Sequence, residues 1–347
     1  MFLLLVSIPS VQTYFGTYAT QQINEKFNTN IKVEKVGLQF NGDVELKNIL
    51  IKDHKNDSLI SIRELNSSIL SFANINDNKL IFGAIDIYGL FFHINTYSGE
   101  QASNLDIFTR KFKKSDQASR LFELSATNIR IRDSYFKLTD ENKTVQEILD
   151  FQKLYINADD FLILGPDVQT QIKALRFKDA RGIEMQNLET QFKYTPNAMS
   201  FEHLKIATNG SYLDGNLVFS YNREDLKMFA EKVQLKANFK ESRINLGELN
   251  VFYPEFGKAK TVNFNTALEG TINALSAQNL DLKSNGGTKI KGDFNFKNLK
   301  ASELQSFEMT AKLNQLSSTY KDLKEILPRI LGKNLPPSLE FLGTFSA

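Results

Sequence analysis

The chain has 347 residues, of which 42 are basic and 40 acidic, so its net charge is +2. This balance argues against a nucleic-acid-binding protein, which would carry a basic surface. Cysteine is absent, which excludes disulfides and cysteine-ligated metal, and the 28 Phe and 11 Tyr residues require a large core or a large apolar surface.

Residues 1–10 are apolar but too few to cross a bilayer, since a spanning helix needs about twenty residues. They lack the basic start and the cleavage site of a secretory signal. We interpret them as a partial membrane anchor; an atypical signal and a buried helix start are the alternatives. Residues 11–28 are predicted to form a helix, in which Tyr14 and Tyr18 suit a membrane interface.

From residue 29 onward, apolar and polar residues alternate, which predicts strands. Residues 65–94 are predicted as short separate strands with a bulge at Gly89, and residues 122–138 as a hairpin. Helical spacing favours short helices at 103–114, where Ser103 can cap, at 245–253, and at 317–331.

Two stretches, residues 203–221 and 279–297, share one hairpin pattern. Matched apolar positions are Leu204 with Leu280, Ile206 with Leu282, Leu217 with Phe294, and Phe219 with Phe296. Asn209-Gly210 and Asp214-Gly215 are predicted turns of the first hairpin, and Asn285-Gly286 is a predicted turn of the second. A weaker copy surrounds Asn41-Gly42. The repetition predicts an elongated sheet in which each unit packs on its neighbours.

Each predicted hairpin has one apolar face, which a sheet must bury on something. If the sheet curls, that face lines a dry trough for acyl chains. The predicted lipid-binding residues are Leu38, Phe40, Val44, Leu46, Leu217, Phe219, Phe294 and Phe296.

The sequence offers no catalytic constellation. The three histidines, His54, His93 and His203, are far apart in the chain, and the segment 53–57, although it contains Asp53 and Asp57, is interpreted as a solvated turn. We therefore expect no catalytic residues, no metal site and no cofactor, and a protein that is not an enzyme.

An ordered series of motifs resembles a known family. The series comprises IPSVQTY (8–14), NIKVEKVGLQFNGDVELKNILIKDHKNDSLISI (30–62), TYSGEQASNLDIF (96–108), NGGTKIKGDFNFKNL (285–299) and YKDLKEILPRILGKNLPPSLEFLG (320–343). Together these resemble the N-terminal part of the TamB family (translocation and assembly module subunit) within the AsmA-like superfamily.

The resemblance implies a mainly β fold: an elongated, curled antiparallel sheet forming an open apolar groove, with an N-terminal helix and a few short helices. Residues 29–347 would form this groove body, truncated at its C-terminal end. The resemblance also implies a single-pass inner-membrane anchor and a periplasmic body.

By this resemblance, the protein would pass phospholipid acyl chains between inner and outer membranes and so support outer-membrane biogenesis and protein secretion. Its partner would be an outer-membrane barrel of the Omp85 family, met through a C-terminal region outside this chain. Two alternatives remain open: a scaffold that guides client β-strands during outer-membrane protein insertion without lipid transport, and a closed β-sandwich used as a spacer or adhesin.

Overall fold

The structure is a computed structural model that describes residues 14, 17–18, 20–22, 24–25, 27–38, 43–71, 79–111, 123–143, 149–251, 257, 260–299, 308–326 and 338–346. The prediction of a mainly β chain with a few short helices is confirmed. The chain divides into two compact units, residues 1–184 and 185–347.

The first unit is a sheet whose strand order follows the chain. Its strands are β1 (Asn30–Leu38), β2 (Asp43–Lys52), β3 (Ser58–Ser71), β4 (Lys79–Thr96), β5 (Glu123–Asp140), β6 (Leu149–Leu164) and β7 (Asp167–Asp179). The described residues between 14 and 27 are helical and precede β1. Helix α1 (Asn104–Arg110) follows β4 and is capped by Ser103 as predicted, in a reciprocal capping box with Asp106.

The second unit is also a sheet in chain order. Its strands are β8 (Glu184–Thr195), β9 (Ala198–Thr208), β10 (Tyr212–Ser220), β11 (Gln234–Asn245), β12 (Thr261–Gly270), β13 (Ala274–Ser284), β14 (Lys289–Lys297), β15 (Glu308–Thr319) and β16 (Ser338–Ser346). A 3-10 turn (Arg223–Met228) and helix α2 (Phe229–Lys232) follow β10, α3 (Leu246–Leu249) follows β11, and α4 (Tyr320–Ile326) follows β15.

One strand pair corrects the prediction of an antiparallel sheet. Strands β4 and β5 pair in parallel, with Ile87 opposite Ile131 and Phe92 opposite Phe136. Parallel neighbours need a long crossover, and here the segment after β4 contains α1. The other pairings described within each unit are antiparallel, such as β1 with β2 and β13 with β14.

The predicted short strands in 65–94 and the predicted hairpin in 122–138 are wrong, because each region belongs to longer strands. Gly89 (φ 68°) and Asp133 (φ 47°) adopt left-handed backbone inside β4 and β5. The pairs Tyr88 with Arg132 and Phe91 with Tyr135 continue on either side of them. The side-chain alternation therefore changes within one strand, a change that the sequence analysis interpreted as a bulge at Gly89 and as the end of a strand at Asp133.

The hairpin prediction for 203–221 and 279–297 is confirmed as β9–β10 and β13–β14. Leu204 pairs with Gly215 in the first, and Leu280 pairs with Gly292 in the second, as the sequence match requires. The predicted turn at Asp214-Gly215 is wrong, since both residues lie within β10. Gly215 is needed there because a Cβ would lie 2.0 Å from the carbonyl oxygen of Asn238.

The repeating element is larger than a hairpin. Strands β8, β12 and β16 begin at residues 184, 261 and 338, an interval of 77 residues each time. Four strands and a helix form one repeat, β8–β11 with α3 and then β12–β15 with α4. Strands β1–β4 with α1 have the same order and direction, so the first unit contains an equivalent arrangement.

Each repeat contains a bulge held by the same two hydrogen bonds. His203 in β9 and Asn279 in β13 both have φ 51°. The backbone N–H of each donates to a side chain of the next strand, Asn216 for His203 and Asp293 for Asn279, at 2.8 Å in both cases.

The hydroxyls of Thr190 and Thr266 donate from the preceding strand. Their acceptors are the carbonyl oxygens of Glu202 and Gln278, the residues just before the two bulges, at 2.9 and 3.1 Å. Both threonines are buried, so these bonds satisfy groups that water does not reach. The two bulges are therefore built in the same way.

Candidate functional site

A row of aliphatic side chains crosses all seven strands of the first unit. Directly paired residues lie on the same face of a sheet, so the pairing defines the row. Its members, from β1 to β7, are Val36, Leu46, Leu65, Ile87, Ile131, Ile156 and Leu175. At about 4.8 Å between neighbouring strands, the row is about 29 Å long.

A second row crosses β1 to β6 of the same unit. Its members are Ile31, Ile51, Ile60, Phe92, Phe136 and Phe151. Phe177 of β7 stacks on Phe151 with a centroid distance of 4.0 Å, and Leu175, two residues earlier, belongs to the first row. Since residues i and i+2 of a strand share a face, Leu175 and Phe177 place the ends of the two rows on one face at β7.

The second unit has two equivalent rows, at positions i and i+2 of its strands. From β8 to β15 the first comprises Phe192, Phe201, Leu217, Ala237, Leu268, Ala277, Phe294 and Ala311, and the second comprises Tyr194, Met199, Phe219, Leu235, Gly270, Leu275, Phe296 and Met309. We call these two rows the apolar face of the second unit. They contain no charged side chain over eight strands, about 34 Å of sheet.

The apolar side chains of the second unit pack against side chains of neighbouring strands in the same sheet. One buried cluster contains Leu204, Ala237 and Phe239, and another contains Ala277, Phe294, Ala311 and Leu313. Every member of these clusters, including the partly buried residues around them, comes from strands β8 to β15. A β-sandwich core would instead combine residues of two facing sheets. The clusters therefore show one sheet whose apolar side chains cover each other.

The opposite face of the second unit is polar. Between the two apolar rows, the intervening positions form a row of Lys193, Ser200, Val218, Lys236, Glu269, Ser276, Asn295 and Thr310. Seven of these eight side chains are polar or charged. The sheet thus separates an apolar surface from a water-compatible one.

The bulges keep the apolar face continuous. Phe201 and Leu204 both belong to one apolar cluster although they are three residues apart, an odd spacing that would place them on opposite faces of a regular strand. The bulge at His203 inserts one residue and restores the common face. Ala277 and Leu280 are related in the same way by the bulge at Asn279.

The predicted lining residues fall on these faces as far as the structure describes them. Phe40 lies outside the described residues, and Leu38 ends β1 opposite Val44 of β2. Leu46, two residues beyond Val44, belongs to the first row of the first unit. Of the others, Leu217 and Phe294 share the first row of the second unit, and Phe219 and Phe296 share the second row. Their role in binding lipid stays a prediction.

The same edge of each repeat is closed by a contact from its helix to the turn between its second and third strands. In the last repeat, Asp322 of α4 is 2 % exposed and accepts hydrogen bonds from Ser284 Oγ at 2.5 Å and Thr288 N at 3.0 Å, and from the Thr288 hydroxyl. Lys260 Nζ lies 3.0 Å from its second oxygen. Burial raises the pKa of Asp322, but these partners outweigh burial and bring the pKa to about 2.

In the preceding repeat, Glu248 of α3 makes the equivalent contact with the turn between β9 and β10. Its carboxylate accepts from Thr208 Oγ at 2.6 Å, from Gly210 N at 2.9 Å and from the Ser211 hydroxyl. Gly210 and Gly286 occupy matching turns, and a Cβ at either would collide with the side chain beneath it, Asn245 or Asp322. The glycines of the two Asn-Gly pairs thus allow Asn245 and Asp322 to approach the turns closely.

In the first unit the donor and acceptor of this contact are exchanged: the carboxylate belongs to the turn, and the helix donates the hydrogen bond. Asp53 of the β2–β3 turn is buried and accepts from Tyr97 Oη at 2.6 Å and from Asn104 Nδ2 of α1 at 3.1 Å. Burial raises its pKa, but the hydrogen bonds from Tyr97 and Asn104 prevail and lower it. The interpretation of segment 53–57 as a solvated turn is wrong for Asp53, while His54 and Asp57 are exposed.

Sequence reasoning missed the buried carboxylates that join helix and turn, and it also missed the bulges of the two repeats. For the bulges a signal existed in the sequence. Phe201–Leu204 and Ala277–Leu280 are apolar residues separated by two polar ones, a spacing that marks a bulge when it recurs in matched strands. The contacts between helix and turn had no local signal, since Asp53 and Asn104, Glu248 and Gly210, and Asp322 and Thr288 are each more than 30 residues apart.

Comparison with known proteins provides no family assignment for this chain. No protein-family model matches the chain, and no curated protein matches it. Among the residues that the structure describes, there is no helix of sufficient length and apolarity to cross a membrane.

Proposed function

We propose that this protein is a membrane-anchored envelope protein of the AsmA/TamB type that passes phospholipid acyl chains along its apolar face. In this proposal the body lies in the periplasm, and transfer between the inner and outer membranes supports outer-membrane biogenesis and protein secretion. An outer-membrane barrel of the Omp85 family is the proposed partner at the far end.

One observation carries the proposal: the two uncharged rows that cross β8 to β15 without interruption. They run across the strands, so a chain lying on them meets apolar side chains at every strand. Each acyl methylene that leaves water for such a surface gains about 0.8 kcal/mol. A headgroup would stay at the rim, because the rows offer it no charged partner.

The bulges also support the proposal, because each contains a residue in an unfavourable backbone conformation. A left-handed residue other than glycine is unfavourable by about 1–2 kcal/mol. The chain places such residues at His203, Glu241 and Asn279, in alternate strands. Their effect is to keep apolar residues on one face, which indicates that continuity of that face matters.

The experiment is mass spectrometry of lipids that copurify with the full chain, expressed in the periplasm and purified without detergent. Phe296→Glu adds a carboxylate to the second row, and Asn295→Glu adds one to the opposite face of the same strand. We expect bound phospholipid in the parent and in Asn295→Glu, and its loss in Phe296→Glu.

Equal lipid in the two variants, or folded protein without lipid, would refute the acyl-chain proposal. The scaffold for client β-strands would then be the better explanation. That alternative predicts crosslinks from a client strand to backbone positions of β16, whose described pairing is with β15.

A further inference from the structure

The first unit contains a cavity of about 960 Å³ between its N-terminal helix and strands β1 to β4. This volume lies at the upper end of the range of small-molecule sites, about 300–1,000 Å³. The helix contributes Thr17, Thr20, Gln21 and Asn24 to the wall. The cavity is therefore closed on one side by hydroxyl and amide groups.

The cavity borders mainly the face opposite to the second apolar row of the first unit. Its sheet wall includes Lys32, Leu50, Ser61 and Phe91, which are directly paired across β1 to β4. Their chain neighbours Ile31, Ile51, Ile60 and Phe92 form the second apolar row of the unit. Adjacent residues of a strand point to opposite faces, so these four side chains and the row lie on opposite faces, and Ile31 is the member of the row that also borders the cavity.

Arg63 lies at this cavity next to Tyr88 and Gly89. Its guanidinium lies 4.9 Å from the centroid of the Tyr88 ring. A Cβ at Gly89 would lie 2.9 Å from the Cβ of Arg63, so the glycine leaves the room that the arginine side chain occupies. The ion pair of Arg63 with Asp133 is long, at 3.8 Å, which leaves its donors available to a ligand.

The charges of the lining favour an anion. Lys32 and Arg63 are positive, and Glu34, the negative lining residue, accepts a hydrogen bond from Asn48 Nδ2 at 2.6 Å. Leu50 and Phe91 provide an apolar floor between these charges. The lining thus combines a cationic rim with a surface for hydrocarbon.

The exposed side of the same helix fits a position at a bilayer surface. Tyr14 and Tyr18 are 70 % and 55 % exposed. Residues four apart share one side of a helix, and tyrosine is enriched at membrane interfaces. The cavity would then lie directly below the headgroup layer.

We propose that this cavity binds one anionic phospholipid, with the phosphate at Arg63 and Lys32 and the beginning of an acyl chain on Leu50 and Phe91. The planar fork of arginine matches two phosphate oxygens, and the apolar floor favours the first methylenes. The site is distinct from the apolar face, and it deepens the proposed function by naming a place where a lipid is held by its headgroup.

The test is calorimetric titration of the full chain with dihexanoylphosphatidylglycerol, dihexanoylphosphatidylcholine and inorganic phosphate, each below any micelle concentration. We expect the phosphatidylglycerol to bind about tenfold more tightly than the phosphatidylcholine, because the former carries a net negative charge. We expect inorganic phosphate to show no binding, because it lacks the hydrocarbon. Equal binding of the two lipids, or full binding of phosphate alone, would overturn the proposal.

Variants locate the bound lipid. Arg63→Glu should weaken binding of the phosphatidylglycerol by at least about tenfold. Lys35→Glu makes the same change of charge at an exposed β1 residue outside the cavity lining, and it should leave binding unchanged. Arg63→Gln serves if Arg63→Glu does not fold, as judged by circular dichroism. Binding that survives in Arg63→Gln and disappears in Phe296→Glu would assign the lipid to the apolar face and refute the cavity site. Loss in Arg63→Gln with retention in Phe296→Glu would support the cavity site.

Discussion

Replacing Asp322 by alanine tests whether the helix-to-turn contact holds a repeat together. The substitution removes the acceptor of Ser284 and Thr288 and leaves the buried Thr288 and Ser318 hydroxyls with each other. Removing one partner from a buried, hydrogen-bonded charge network costs about 3–5 kcal/mol. Since a domain has only about 5–15 kcal/mol of stability, the loss should be large in urea unfolding of the second unit.

The pH dependence of this loss follows from the lowered pKa of Asp322. The carboxyl titrates at about 2 in the folded chain against an ordinary value of 3.8. Its charged form therefore contributes about 2 kcal/mol of stability that is complete above the ordinary value and disappears as pH falls toward 2. We expect the stability difference between parent and Asp322→Ala to be constant from pH 5 to 7 and to shrink below about pH 4.

Hydrogen exchange separates a local effect from a global one. In Asp322→Ala the amides of the 285–288 turn and of α4 should lose protection, while those of the 208–211 turn, held by Glu248, should keep it. Glu325→Gln, at a residue whose side chain is 40 % exposed and pairs with the same Lys260, should cost less than about 1 kcal/mol. The reasoning would be refuted if Asp322→Ala cost no more than Glu325→Gln, or if its cost did not change with pH.

Four further outcomes are expected. Gly286→Ala should destabilise the second unit nearly as much as Asp322→Ala in urea unfolding, because its Cβ would lie 1.6 Å from Asp322 Oδ1; Gly287→Ala, with open space around its Cβ but φ +102°, should cost only about 1–2 kcal/mol. Thr190→Val and Thr266→Val should each cost about 1 kcal/mol, since each removes the hydroxyl's hydrogen bond to the carbonyl before a bulge, and unequal costs in thermal unfolding would contradict the equivalence of the repeats. Phe294→Glu should unfold the second unit by circular dichroism, because Phe294 is buried at 8 % exposure among Ala277, Ala311 and Leu313, whereas Phe296→Glu should remain folded. Tyr97→Phe should destabilise the first unit by about 1.5–3 kcal/mol through the lost bonds to Asp53 and Asp57, with Tyr88→Phe, an exposed ring, as the neutral control.

The local pattern of the sequence determined the strands, the capped helix α1 and the repeated hairpins. Alternation places Leu217 and Phe219 on one face whatever the strand pairs with, and the hydrogen bonds of the Ser103 capping box span three residues. The match of Leu204 with Leu280 predicted that 203–221 and 279–297 form equivalent hairpins, and both leucines pair with a glycine of the next strand. These features depend on near neighbours in the chain, which a sequence displays directly.

The tertiary structure decided which segments join into one strand and which charges are buried. The sequence predicts a bulge at Gly89 and a break between two strands at Asp133, but pairing between β4 and β5 continues past both residues. The parallel direction of that pair depends on the crossover that contains α1. Loop closure and pairing across more than 30 residues leave no trace in the local alternation of side chains.

The same reason explains the role of the Asn-Gly pairs and of Asp53. In the sequence, Gly210 and Gly286 indicate a tight turn, and Asp53 indicates a solvated one. In the structure, the glycines make room for Asn245 and Asp322, and Asp53 is enclosed by Tyr97 and Asn104. The sequence determined that these residues lie in turns, and only the approach of a helix from the end of a later strand determined what the turns bind.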